Sequence, residues 1–296
     1  MTDSTPGTLL RLAAFTTDPA GGNPAGVWIG DGLPPADQMQ RIAAEVGYSE
    51  TAFLAPDGTG ERGRYRVRYF SPLAEVPFCG HATIASGVAL ADRGAGTDLV
   101  LATNDGDVAV RVDPGDDGHP IATLTSVEPT VREAPATLLD PALALLGWRP
   151  DELDPTLPPA VAYAGAHHLV IAVRDLATLG RMAYPFEPMQ RLMLDHDLTT
   201  VQLVWREGPL RFRARDPFAV GGVVEDPATG AAAAAFGAYL RERGEIEAPA
   251  TFEIVQGVEM GRPSRLTVSI VRDDPAIRVA GTAVPIDPGA GAAARP

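Results

Sequence analysis

Hydrophobic and polar positions alternate along much of this 296-residue chain. In "RYRVRYF" (64–70), Tyr65, Val67 and Tyr69 fall on one face and Arg64, Arg66 and Arg68 on the other. That is the period of a half-buried strand. "GVWI", "TAFL", "DVAVRV" and "IATLTSV" predict further short strands in the first half. In the second half "HHLVIAV", "TVQLVW", "LRFRAR", "TFEIV", "SRLTVSIV" and "AIRVAG" do the same. Helical spacing is confined to "PADQMQRIAAEVG" (35–47), "HATIASGVALAD" (81–92) and the segments near 185–195 and 229–243. The mixture predicts an α+β protein. "SVEPTVREAPATLLDPA" (126–142) marks a seam between an N-terminal domain, 1–128, and a C-terminal domain, 129–282. Residues 283–296, rich in Pro, Gly and Ala, are expected to form a flexible tail, with the chain returning to pack on the N-terminal domain.

The halves match each other at one place. "PFCGHATIASGVAL" and "PATGAAAAAFGAYL" align without a gap at an offset of 150, pairing Pro77 with Pro227, Gly80 with Gly230, Gly87 with Gly237 and Leu90 with Leu240. In each a strand ends, a Pro and a Gly break the chain, and a helix begins. Gly80 and Gly230 leave helix-start N–H groups open to a carboxylate. Gly87 and Gly237 sit mid-helix, where glycine costs stability, so close packing is their expected reason.

The net charge of −14 argues against nucleic acid or an anionic membrane surface as a partner. A single cysteine excludes an internal disulfide and suits a reducing compartment. The N-terminal stretch lacks the features of a signal peptide, and no apolar run is long enough to span a bilayer, so the expected location is cytoplasmic.

Several side chains could carry chemistry. Cys79 and His81 lie at the first helix start, where a thiol is readily activated. They supply only two metal ligands and there is no second cysteine, so no metal is expected. Cys79 reads either as a nucleophile or as a small buried hydrophobe. Glu50 follows a helix end at Gly47 and precedes an apolar strand; it is a candidate base or a solvated charge. Asp226 precedes the second Gly-led helix and reads as a site acid or as a helix-start acid. Glu75 and Glu225 read as solvated. "TDPAGGNPAGVW" (17–28) lacks the Lys-Ser/Thr of a P-loop and reads as a tight turn. In "QGVEMGRPSRL" (256–266), Gly257 and Gly261 could let amides approach a ligand.

"GNPAGV", "GYSETAFL", "RYFSPLAEVPFCGHATIASG", "VEDPATGAAAAAFGAYL" and "QGVEMGRPSRL" occur in order. Together they resemble the phenazine-biosynthesis isomerase family (PhzF-like), a branch of the diaminopimelate-epimerase fold, over about residues 9–282. The resemblance implies two similar domains, each a curved, mostly antiparallel sheet wrapped around a central helix, with the active site between them. It implies no cofactor, a homodimer, and a role in secondary metabolism such as phenazine or other antibiotic biosynthesis. The implied reaction moves a proton and double bonds in a small unsaturated cyclic carboxylate of the dihydro-hydroxyanthranilate type.

Residue by residue, the resemblance puts the proton-moving carboxylate on Glu50, the cleft histidine on His81 and a further acid on Asp226. Gly80, Ala82, Gly230, Ala231 and Gly257 become substrate contacts. Ala231 stands where the family often has serine, which leaves one hydroxyl contact missing. Epimerases and racemases of the same fold use two cysteines. Cys79 occupies the first position and "DPATG" offers no second, so a two-thiol mechanism is unavailable. An epimerase or dehydratase acting beside a carboxylate, or a silent metabolite-binding relative, are the alternatives.

Overall fold

The computed structural model describes residues 6–287. The chain forms two compact units, one made of the segment up to Thr125 together with the segment from Ala280 onward, the other of Ser126–Val279. These junctions replace the expected ones after 128 and 282.

The first unit runs Gly7–Ala14 (β1), Asn23–Gly30 (β2), Ala36–Val46 (α1), Glu50–Pro56 (β3), Arg64–Phe70 (β4), Glu75–Val76 (β5), Gly80–Asp92 (α2), Asp98–Ala102 (β6), Asp107–Pro114 (β7) and Pro120–Thr125 (β8). Two parallel steps interrupt an otherwise antiparallel sheet: β2 with β3, crossed by α1, and β4 with β6, crossed by α2. A parallel neighbour requires such a crossover, because a hairpin cannot reverse the chain twice. Met39 and Ala43 of α1 cover Trp28, Phe53 and Phe70 on one side of the sheet. On the other lies α2, buried from His81 to Leu90 and touched by β1, β2, β3, β7 and β8. Its sequence is apolar all round, which suits a helix enclosed by strands. A Cβ on Gly87 would stand 2.8 Å from Val110 Cγ1 and 3.1 Å from Ala122, so the packing reason expected for this glycine is present.

The second unit repeats the plan with Thr130–Glu133 (β9), Ala136–Leu146 (α3), Ala160–Tyr163 (β10), His167–Val173 (β11), Leu176–Gly180 (α4), Phe186–Asp195 (α5), Thr200–Gly208 (β12), Arg211–Pro217 (β13), Glu225–Asp226 (β14), Gly230–Glu242 (α6), Ala250–Gln256 (β15), Ser264–Ile270 (β16) and Ile277–Gly281 (β17). Again two neighbours are parallel, β11 with β12 and β13 with β15, and α6 crosses between the latter as α2 does between β4 and β6. Helix α6 is buried from Ala232 to Leu240, and a Cβ on Gly237 would stand 2.9 Å from both Ile277 and Val268.

Helix α3 corrects the reading of 126–142 as a plain seam. Its Leu138, Ala142, Leu143 and Leu146 recur at helical spacing and pack with Met189 and Met193 of α5 into the second core. The tail is corrected in part: Ala283–Pro285 (β18) pairs antiparallel with β1, matching Leu12 with Pro285 and Ala14 with Ala283. Residues 288–296 of the expected tail lie outside the described residues. No helix among the described residues is long and apolar enough to cross a membrane.

Candidate active site

In the first unit, three chain breaks converge. Helix α1 ends on Gly47, whose φ of 70° closes the last turn in the left-handed region, and Ser49 and Glu50 follow at the start of β3. The parallel register sets Glu50 beside Ala25 of β2, two residues past Asn23. Helix α2 begins at Gly80, with Cys79 as an extended N-cap whose carbonyl accepts from Thr83 N at 3.0 Å. The side chains of Asn23, Ser49, Glu50, Cys79 and His81 meet as a result.

His81 is the hub. Asn23 Nδ2 donates to His81 Nδ1 at 3.0 Å, which leaves the ring proton on Nε2. Nε2 faces Glu50 Oε2 at 3.5 Å and Ser49 Oγ at 3.4 Å. Burial holds the imidazole below its usual range, against the opposing pull of the Glu50 charge. A neutral ring with its N–H toward a carboxylate follows. Cys79 Sγ lies 3.6 Å from Glu50 Oε2 and 3.4 Å from His81 Nδ1. Glu50 is buried, which disposes of its solvated-charge alternative. Of the described residues, Glu50, Cys79 and His81 are the group with the donor types and spacing to hold a metal ion.

The second unit carries a different chemistry at the equivalent place. Asp226 is buried on β14 and its Oδ2 accepts from Thr229 Oγ1 at 2.6 Å. Gln256 ties the corner together: its Nε2 donates to the Asp226 carbonyl at 2.7 Å and to Thr229 Oγ1 at 3.1 Å, and its Oε1 accepts from Thr229 N at 3.3 Å. Thr229 is the N-cap of α6, in the position Cys79 takes in α2. Opposite Asp226 in the β13–β14 ladder is Asp216, fully buried. Among the described residues, neither Asp216 oxygen finds a partner of hydrogen-bond length and angle, although Thr229 and Gln256 lie close enough to favour its charge. Burial and the neighbouring Asp226 push its carboxyl well above the usual carboxylate range.

One ion pair recurs in both units. Arg68 grips Glu75 through Nε and Nη2 at 2.7 and 2.6 Å, and Arg215 grips Glu225 in the same bidentate way at 3.0 and 2.6 Å. The next ladder position holds Tyr69 opposite Val76 in the first unit and Asp216 opposite Asp226 in the second. The acid pair is therefore confined to the second unit's copy. Glu225 is buried and fully engaged, which corrects its reading as a solvated charge; Glu75 is exposed but paired.

The expected glycines fall at turns and helix starts. Gly80 and Gly230 open α2 and α6, where the first N–H groups have no partner within the helix. Ala82 is fully buried in the first turn of α2, and Ala231 half-buried in that of α6. Gly257 has a φ of 74°, and a Cβ there would lie 2.5 Å from the Arg262 carbonyl and 2.7 Å from that of Pro227. Asn23, Ser49, Asp216 and Gln256 were not singled out from the sequence. Asn23, Ser49 and Gln256 lie within "GNPAGV", "GYSETAFL" and "QGVEMGRPSRL", which was their signal; Asp216 lies in none of these motifs.

The fold and this clustered carboxylate–imidazole–thiol arrangement define an enzyme of the epimerase-like architecture. The chain belongs to the family described as phenazine biosynthesis-like protein (PhzC-PhzF), whose model matches residues 12–289. It is an isomerase, as its relatives are named. The trans-2,3-dihydro-3-hydroxyanthranilate isomerase of Pseudomonas fluorescens is 34% identical over 259 residues, covering 86% of each chain. A phenazine biosynthesis protein of the PhzF family from Bacillus anthracis superposes with a TM-score of 0.83 at 26% identity, covering 94% of this chain and 96% of that one. A probable proline racemase from Agrobacterium radiobacter shares the fold, with a TM-score of 0.64 at 16% identity over 94% of this chain and 91% of that one.

Proposed function

We propose that this protein isomerises a small unsaturated cyclic carboxylate of the trans-2,3-dihydro-3-hydroxyanthranilate type, with Glu50 as the proton carrier. The observation that carries the reading is the buried Glu50 carboxylate, 3.5 Å from His81 Nε2. A base that takes a proton from carbon works best away from water, beside a donor that can follow the shifting charge. Glu50 accepts the proton from a ring carbon, the C–H electron pair moves into the adjacent double-bond system, and the same carboxyl returns the proton to another carbon. Atoms and electrons balance without redox change or added water. His81, neutral and oriented by Asn23, donates toward the developing charge.

Asp226 is assigned a second proton-handling role. Gly80, Ala82, Gly230, Ala231 and Gly257 are assigned as substrate contacts, on the family resemblance. Ala231 offers no hydroxyl, so the preferred ring substituents are expected to differ from those taken by relatives with serine there. Thr229, bonded to Asp226, supplies no second thiol for an epimerase of the two-cysteine type.

The test is deuterium uptake. In heavy water, the wild-type protein should wash deuterium into trans-2,3-dihydro-3-hydroxyanthranilate, and Glu50→Gln should abolish the exchange while remaining folded. Undiminished exchange in Glu50→Gln removes the carboxylate from this role.

A further inference from the structure

Glu50, Cys79 and His81 bring three different donor elements to one point. Cys79 Sγ stands 3.6 Å from Glu50 Oε2 and 3.7 Å from His81 Nε2, and Nε2 stands 3.5 Å from Oε2. The atoms form a nearly equilateral triangle of sulfur, nitrogen and oxygen. A tetrahedral zinc ion, with bonds of about 2.0–2.3 Å, holds its ligand atoms roughly 3.3–3.6 Å apart. The spacing matches one face of that tetrahedron; Cys79 Sγ also lies 3.4 Å from His81 Nδ1, so the imidazole turns to aim Nε2 at the ion. The mixed donor set selects against calcium and magnesium, which take oxygen, and suits a borderline ion with three protein ligands and one open position.

Two further features favour binding. Glu50 is 8% exposed, Cys79 7% and His81 4%, so packing holds the three donors close together and limits the freedom lost on binding. Asn23 also provides an outer contact. A histidine that binds metal through Nε2 carries its proton on Nδ1 and needs an acceptor there. Asn23 Nδ2 now lies 3.0 Å from Nδ1, and half a turn of the amide puts its carbonyl oxygen in that place.

We propose that Glu50, Cys79 and His81 form an inhibitory zinc(II) site. On binding, the Cys79 S–H bond breaks, a Zn–S bond forms and the proton leaves to solvent, so affinity rises with pH and no electron is transferred. The ion occupies the carboxylate assigned above as proton carrier, and turnover stops. That second consequence rests on the proposed function; binding itself does not.

Chelator-treated full-length protein is titrated with zinc chloride in a calorimeter at two pH values, and with cobalt(II) chloride in an absorbance cell. The expected result is one ion per chain, tighter at the higher pH. A cobalt–thiolate band should appear in the near ultraviolet, together with the intense visible bands of a tetrahedral site. Cys79→Ser should abolish the thiolate band and weaken zinc binding by at least about tenfold. Asn23→Leu should weaken it by about tenfold through the lost outer contact. Glu50→Gln gives a second ligand variant should Cys79→Ser fold poorly. No uptake, or uptake unchanged in Cys79→Ser and Glu50→Gln, overturns the site. Binding as expected with turnover unaffected upholds the site and overturns Glu50 as proton carrier.

Discussion

Asp216 lies directly across the β13–β14 ladder from Asp226, with no solvent reaching it. Two carboxylates placed so cannot both ionise cheaply, and burial selects Asp216 as the one that keeps its proton. The raised folded-state pKa means the native protein binds more protons than the unfolded chain above the ordinary value of 3.8. The contribution to stability is full below that value and is lost as pH rises through the folded pKa. Asp216→Asn mimics the protonated form. Its stability in urea titrations should gain on the natural protein as pH rises from about 4, by at most about 1.4 kcal/mol per pH unit. Parallel curves would show that Asp216 ionises normally.

The duplicated arginine–glutamate pair should be worth different amounts in its two settings. The Arg215 and Glu225 side chains are 10% and 5% exposed, and those of Arg68 and Glu75 are 24% and 30%. Arg215→Met leaves a buried carboxylate without its partner and should cost about 3–5 kcal/mol in chemical denaturation. Arg68→Met should cost about 1 kcal/mol or less. Equal costs would mean that burial does not set the value of this pair.

His168 should make the protein acid-sensitive. It is fully buried, its Nδ1 meets Thr200 Oγ1 at 2.8 Å, and burial, with a smaller push from His167, lowers its pKa to about 3. Its folded pKa is depressed, so its stabilising contribution is present above about 6.5 and is lost as pH falls toward about 3. His168→Gln, whatever its stability at neutral pH, should show a shallower decline across that window, by up to about 1.4 kcal/mol per pH unit. Urea midpoints measured through the window decide it.

The thiol and the carboxylate of the first unit can be separated by one substitution. Cys79 touches both Glu50 and His81, as a nucleophile would. If Glu50 carries the proton, Cys79→Ala should keep turnover within about tenfold of the natural protein, because a small buried side chain replaces another. Loss of turnover in Cys79→Ala with Glu50→Gln still active would reverse the two assignments.

Much of this was legible in the residues. The period of two in "RYRVRYF", the apolar helix from His81 to Leu90 and the offset-150 repeat follow from local sequence, since alternation and helical spacing encode which face of an element is buried. Helix α3 escaped because the proline- and glutamate-rich residues before it read as a boundary, and its Leu138, Ala142 and Leu146 stripe has meaning only against Met189 and Met193. Glu225 was misread for a related reason. Whether a charge is solvated depends on what packs over it, and Arg215 comes from another strand.

By itself the sequence determined the duplication, most of the strands and the two central helices, and Glu50, His81 and Asp226 as the residues to watch. It also showed that the second helix start has no thiol. Tertiary structure alone decided that Asn23 sets the His81 tautomer, that Asp216 faces Asp226, and that Glu50 joins Cys79 and His81 in one triangle. Those relationships join residues on different elements, up to 58 positions apart. Strand pairing and helix placement bring them together, and no local periodicity records which partners will meet.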